Sequence, residues 1–160
     1  MTESVADRFE IPNPITVVGD RTLRLDDTVR TLPVTTRSAE VVCASGNRYS
    51  AEWTGISGET LCEIGTAPPE TTHLLVESRD GYRMAVSIAD GLAGVLAFQK
   101  DGRPIGENAP YSNRFVAPGV EGARDVKGVS RIEFHALDPG TDPERLEQVE
   151  PDDDRFEAER

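Results

Sequence analysis

Long hydrophobic runs are missing from this chain of 160 residues: nothing approaches the ~18 consecutive apolar residues that a membrane helix needs. Its opening residues, MTESVADRFE, hold no basic leader, no apolar h-region and no paired arginines. No secretory or twin-arginine signal is therefore expected, and the chain is expected to stay in the cytoplasm. Lysine is nearly absent as well, with Lys100 and Lys127 standing against fifteen arginines. Cysteine is scarce. Cys43 and Cys62 are the only two, and in a cytoplasmic chain they point to free thiols rather than a disulfide. Any chemistry at sulfur must fall on one or both of them.

What is abundant is carboxylate. The formal charge is −12, and from Asp138 onward ten acids face three arginines, leaving about −5 for the other 137 residues. A field of that sign repels nucleic acid and anionic membrane, so neither is an expected partner. Many carboxylates with few lysines suit a halophilic protein, such as a haloarchaeal one, because concentrated salt screens repulsion within a few ångströms. An acidic protein with a disordered tail is the other reading. Hydrophobic residues make up 37% of the chain, enough for one modest core and so for one domain with tails.

The patterning divides the chain into a polar leader over 1–14, a domain over 15–137 and an acidic tail over 138–160. The tail holds too few apolar side chains to offset its ordering entropy, so disorder is expected there. Ile15–Val18 and Thr22–Leu25 flank Gly19-Asp20 as a hairpin. Asp26 or Asp27 can cap a helical turn through Leu32. Strands are expected over Ala39–Cys43, Arg48–Trp53, Thr72–Glu77, Tyr82–Val86, Val95–Gln99, Arg114–Ala117 and Val129–Leu137. In the last, Ile132, Phe134 and Ala136 should face inward, and Arg131, Glu133 and His135 outward. Short helices are expected from Ser57 to Gly65 and over Ile88–Leu92, with a tight turn at Asp101-Gly102. Many short strands in mixed β-sheets with small helices make an α+β fold.

Two places can carry chemistry. Cys43 ends an apolar strand beside a Ser-Gly-Asn-Arg turn, where Arg48, folded back, would stabilise a thiolate. Thiolate is a soft ligand for a transition metal. A buried structural cysteine fits the same residues. The second place is Ser112–Lys127, where Gly119 and Gly122 allow a nest of backbone amides. Arg114, Arg124 and Lys127 could there neutralise a phosphate, the arginines by bidentate bonds; a solvated loop is the plainer alternative. Cys43, Cys62, His73 and His135 match no zinc spacing, and Ser45 lacks a nucleophile elbow. Trp53 reads as core.

Three ordered blocks resemble the molybdopterin-binding domain of the sulfite oxidase family. The first is Glu40-Val41-Val42-Cys43, then Gly46-Asn47-Arg48 and Trp53-Thr54-Gly55-Ile56. The second is Asp80-Gly81-Tyr82, Val95-Leu96-Ala97-Phe98 and Asp101-Gly102-Arg103-Pro104-Ile105. The third joins Arg114, Val116 and Pro118-Gly119 to Gly122-Ala123-Arg124, Lys127 and Ser130-Arg131-Ile132-Glu133. The resemblance implies a sulfite-oxidase-type fold and a molybdenum–molybdopterin cofactor. Cys43 would be the metal's sulfur ligand, and Arg114, Asp125, Val126 and Lys127 would hold the pterin and its phosphate. It implies oxygen-atom transfer on a small oxyanion or sulfoxide, with a separate electron-transfer protein as partner. A relative that has lost the cofactor and serves as a binding or interaction module is the alternative. Ala109 stands where the family has a polar cofactor contact, and Tyr49, Tyr82 and Tyr111 all fall away from the family's active-site tyrosine.

Overall fold

The computed structural model describes residues 11–26, 32–42, 46–118 and 125–147. Among the described residues, ten strands form two five-stranded sheets. In the first, β1 (Ile15–Val18) pairs antiparallel with β2 (Thr22–Leu25) and parallel with β10 (Val129–His135). That strand in turn carries β5 (His73–Ser78) and then β6 (Arg83–Ser87), both antiparallel. Alternation explains which face is inward: Ile15 and Val17 of β1 and Ile132 and Phe134 of β10 are buried, with polar residues between them. Val17 sits opposite Ile132, so the parallel pair contributes one apolar row to the main core. Ala136 is exposed rather than inward, because β10 stops at His135.

The second sheet runs β3 (Thr35–Val42), β4 (Arg48–Ser57), β7 (Val95–Lys100) and β8 (Arg103–Pro104), with β9 (Arg114–Val116) also pairing with β7. Two apolar clusters hold the sheets. The larger joins the first sheet to Ile56, Leu61, Leu96, Phe98 and Phe115. The smaller contains Trp53, Val95, Ala97, Ile105 and Val116, with Tyr49, Ala109 and Tyr111 packed against it.

Local chemistry sets the connections. Ser57 caps α1 (Gly58–Gly65), its hydroxyl accepting the Thr60 amide at 3.0 Å, and Ser87 caps α2 (Ile88–Leu92) by accepting the Asp90 amide at 3.2 Å. Asp101 and Gly102 both have positive φ, 51° and 82°, as a two-residue turn between twisted strands requires. The proposed helical turn after Asp26 lies largely outside the described residues.

Residues 138–147 fall in the stretch whose composition argued for disorder, yet they are structured. A 3-10 turn over Pro143–Leu146 lies along the edge of β6. There Arg83 Nε donates to the Leu146 carbonyl at 2.6 Å and the Ala85 amide to the Glu147 carboxylate at 2.9 Å. An edge strand offers unpaired amides, and a carboxylate satisfies one of them. That local chemistry outweighs the poor hydrophobicity of the segment.

Gly55 sits where the β4–β7 register shifts by a residue. A β-carbon there would overlap the Leu96 carbonyl oxygen. Gly55→Ala must push apart two central strands, and a loss of about 2–4 kcal/mol is expected. Urea denaturation of the two proteins side by side measures it.

Candidate functional site

One end of the second sheet opens into a cleft of about 440 Å³. Its wall is built from residues that pairing brings into a row. Lys100 of β7 lies opposite Trp53 of β4 on one side and Arg103 of β8 on the other. Directly opposed residues share a face, so one aromatic ring and two cations line up across three strands. Tyr49, four positions before Trp53 on β4, falls on that same face. Pro104 of β8 and then Ile105, Asn108, Ala109 and Tyr111 from the segment that follows it complete the lining, and Arg114 lies at the inner end.

Arg114 is held from two directions. Its backbone pairs with Ala97 and bridges to Lys127. Its Nε donates to the Asp125 carbonyl at 2.8 Å, and its terminal nitrogen donates to the Tyr49 hydroxyl at 3.2 Å. Only 7% of the residue is exposed, so a guanidinium is fixed in a low-dielectric wall where its field on a ligand is strong. The two lysines flank the same site. Lys100 Nζ lies 4.4 Å from the centre of the Tyr49 ring and 5.7 Å from that of Trp53, and Lys127 Nζ lies 5.7 Å from Tyr111.

Charge pairing sharpens the picture. Carboxylates outnumber cations in the chain, yet among the described residues none pairs with Lys100, Arg103 or Lys127. Asp101 lines the cleft too, but its carboxylate accepts the Glu52 amide at 2.9 Å. Trp53 is buried, and its indole N–H has no acceptor among the described residues. Unpaired cations, three aromatic rings and an unsatisfied donor together fit a flat, hydrogen-bonding heteroaromatic group that carries negative charge.

Asp125 works behind the wall. It is 2% exposed, its Oδ1 accepts the Ala117 amide at 2.9 Å, and Oδ2 has no partner among the described residues. Burial pushes the carboxyl up to about 7, against the pull of the Ala117 hydrogen bond and the Arg114 guanidinium. The folded state thus holds this proton more tightly than the unfolded chain, whose ordinary value is 3.8. That stabilisation is complete below pH 3.8 and is lost as pH rises through about 7. Asp125→Asn keeps the acceptor for Ala117 and removes the titration. Its stability should be nearly flat across this window and exceed the parent's by about 2–4 kcal/mol in mild alkali. Urea midpoints collected across the pH range check this.

The residues singled out in the sequence are distributed unevenly. Arg114 lines the cleft, Lys127 adjoins it through Tyr111, and Ala109 lines it as the resemblance placed it. Arg48 does not. It is 66% exposed and pairs with Glu40 at 3.0 Å, since alternation along β4 turns its neighbour Tyr49 to the cleft instead. Val126 is buried in the main core, and the Asp125 side chain faces inward. Cys43 and Arg124 lie outside the described residues. Val42 ends β3 opposite Arg48, one pair beyond Val41 and Tyr49.

Cys62 sits half-buried on α1, where burial and then Glu59 and Glu63 push its thiol up. His73 and His135 oppose each other on the first sheet, and the described residues contain no group of three metal-ligating side chains. Sequence reasoning missed Tyr49, Lys100, Arg103 and Tyr111 as cleft residues. The rarity of lysine was the one available signal for Lys100.

The family model described as the oxidoreductase molybdopterin binding domain matches residues 6–141. Over 147 residues the chain is 29% identical to the mitochondrial sulfite oxidase of Drosophila melanogaster, covering 71% of this chain and 25% of that protein. The solved structure of the sulfane dehydrogenase SoxCD from Paracoccus pantotrophus aligns with a TM-score of 0.69 at 22% identity, covering 84% of this chain and 41% of that one. At that identity the likeness is one of fold. The chain spans about a quarter of the first relative's length and under half of the second's.

Proposed function

The chain belongs to the oxidoreductase molybdopterin-binding domain family and has the sulfite-oxidase-type fold, and on that premise we propose that its cleft holds a molybdenum–molybdopterin cofactor for oxygen-atom transfer on a small oxyanion or sulfoxide. The observation that carries this reading is the convergence of the buried Arg114 with Tyr49, Trp53 and Tyr111 around one cavity of a chain with net charge −12.

Arg114, rigidly held, would be the inner anchor for the cofactor's negative charge, with Lys127 and, by the family resemblance, Arg124 as further cations for it. The aromatic rings give the heterocycle a flat apolar bed, and the Trp53 N–H is a donor awaiting an acceptor. Cys43, next in the chain after β3, would supply the thiolate that ligates the metal. When bound, the cofactor supplies the two-electron redox chemistry, and the protein supplies binding, orientation and electrostatics. Electrons would pass to or from a separate electron-transfer protein. A net-acidic surface makes nucleic acid and anionic membrane poor partners.

Elemental analysis and pterin fluorescence test the reading on protein purified from a host that makes the cofactor. Near-stoichiometric molybdenum with released pterin is the expected result. Folded protein without molybdenum that takes up no added cofactor would overturn it and favour a binding module.

A further inference from the structure

The chain has fifteen arginines and two lysines, and both lysines stand over tyrosine rings at the cleft. Elsewhere the cation is arginine, and several of those are spent on carboxylates: Arg37 on Glu59, Arg48 on Glu40, Arg83 on Glu77 and Arg131 on Glu133. Lys100 is different in each respect. It is exposed, pairs with no carboxylate among the described residues, and rests its ammonium on the Tyr49 ring. A ring holds an exposed ammonium only weakly, and a lysine head is a compact point charge on a flexible stem with three donors that turn freely. Arg114 deeper in the wall is the opposite kind of cation, fixed by two hydrogen bonds. Tyr49 links the two, its face under Lys100 and its hydroxyl accepting from Arg114.

We propose that Lys100 is the substrate-side anion receptor of the cleft, leaving the Tyr49 ring to take an incoming small oxyanion and present it beside Arg103 toward Arg114. Calling that anion a substrate rests on the cofactor reading above; anion capture by Lys100 does not. Recruiting a mobile cation costs little because the ring contact is readily exchanged, and the row Trp53–Lys100–Arg103 sets a second cation next to the first. A specificity for multiply charged oxyanions over singly charged ones of similar size follows.

The test uses sulfate as the probe and Trp53, the chain's one tryptophan, as the reporter, since Lys100 Nζ lies 5.7 Å from its ring. Sulfate is titrated into the full chain while chloride holds the ionic strength constant. The parent should show a saturable change in fluorescence. Lys100→Met, matched in length and made at an exposed site, should weaken binding about tenfold, Lys100→Arg should restore most of it, and Arg131→Gln on the other sheet should behave as the parent. Equal binding by Lys100→Met, or no saturable response in the parent, overturns the proposal.

Molybdenum content separates this from the cofactor reading. Lys100→Met should carry as much as the parent. If its molybdenum falls together with its sulfate binding, Lys100 serves the cofactor and the receptor role is wrong. If the parent carries none while sulfate binding still depends on Lys100, the cofactor reading fails and the receptor stands.

Discussion

Cys43→Ser is expected to remove molybdenum from the protein, lowering its content by more than about 100-fold. Changes in the groups that merely orient a metal ligand already cost 10–100-fold in affinity, and here the soft donor itself is exchanged for a hard, neutral hydroxyl. No second sulfur can take its place. Cys62 is the other cysteine of the chain; it packs against the main core on α1, and burial with two neighbouring glutamates keeps its thiol protonated. Cys62→Ser is therefore the internal control, and should keep its metal. The fold should survive Cys43→Ser, because the exchange is nearly isosteric and leaves in place the eight ladder pairs from Thr35–Gly55 to Val42–Arg48. Elemental analysis of the parent and both variants, with circular dichroism to confirm folding, decides the matter. Equal molybdenum in Cys43→Ser would remove Cys43 from the site.

Arg114→Met should reduce cofactor content by about tenfold or more and also weaken the fold. The charge is lost from the inner end of the cleft, where an anion would be least screened. The Asp125 carbonyl and the Tyr49 hydroxyl both lose their donor, and a buried acceptor left without one costs about 1–3 kcal/mol. The two effects separate in Arg114→Lys. Lysine keeps the charge and lacks the planar fork that reaches two acceptors at once, so it should recover cofactor more than stability. Molybdenum content and urea midpoints, measured on the same preparations, give both readouts. If Arg114→Met holds cofactor as the parent does, Arg114 is a structural residue alone.

Much of the sheet architecture was legible in the residues because it follows from local alternation. Ile15–Val18, Thr22–Leu25 and Ile88–Leu92 have the bounds their patterns predict, and Ser57 starts α1 because a serine before a helix caps it. The parallel pairing of β1 with β10 was not legible, since it joins segments more than a hundred residues apart and nothing local fixes that register. The site divides along the same line. Arg114 and Lys127 stood out as cations in a glycine-rich stretch, whereas Lys100 and Arg103 enter the cleft only through ladder pairs with Trp53 and with each other. Arg48 drew attention by its nearness to Cys43 in the chain. The period of two along a strand sends it to the opposite face from Tyr49, and that geometry wins. Asp125 was assigned to the cofactor by resemblance, and its side chain instead bonds the Ala117 amide within the wall.

The proposed location of the molybdenum cofactor is the cleft between Tyr49, Trp53, Tyr111 and Arg114. An anomalous-difference map, from crystals of metal-loaded protein measured at the molybdenum absorption edge, tests it most directly. One strong peak in that cleft, within bonding distance of the Cys43 sulfur, is the predicted result. A peak on the other sheet or away from Cys43, in protein shown to contain molybdenum, would contradict it.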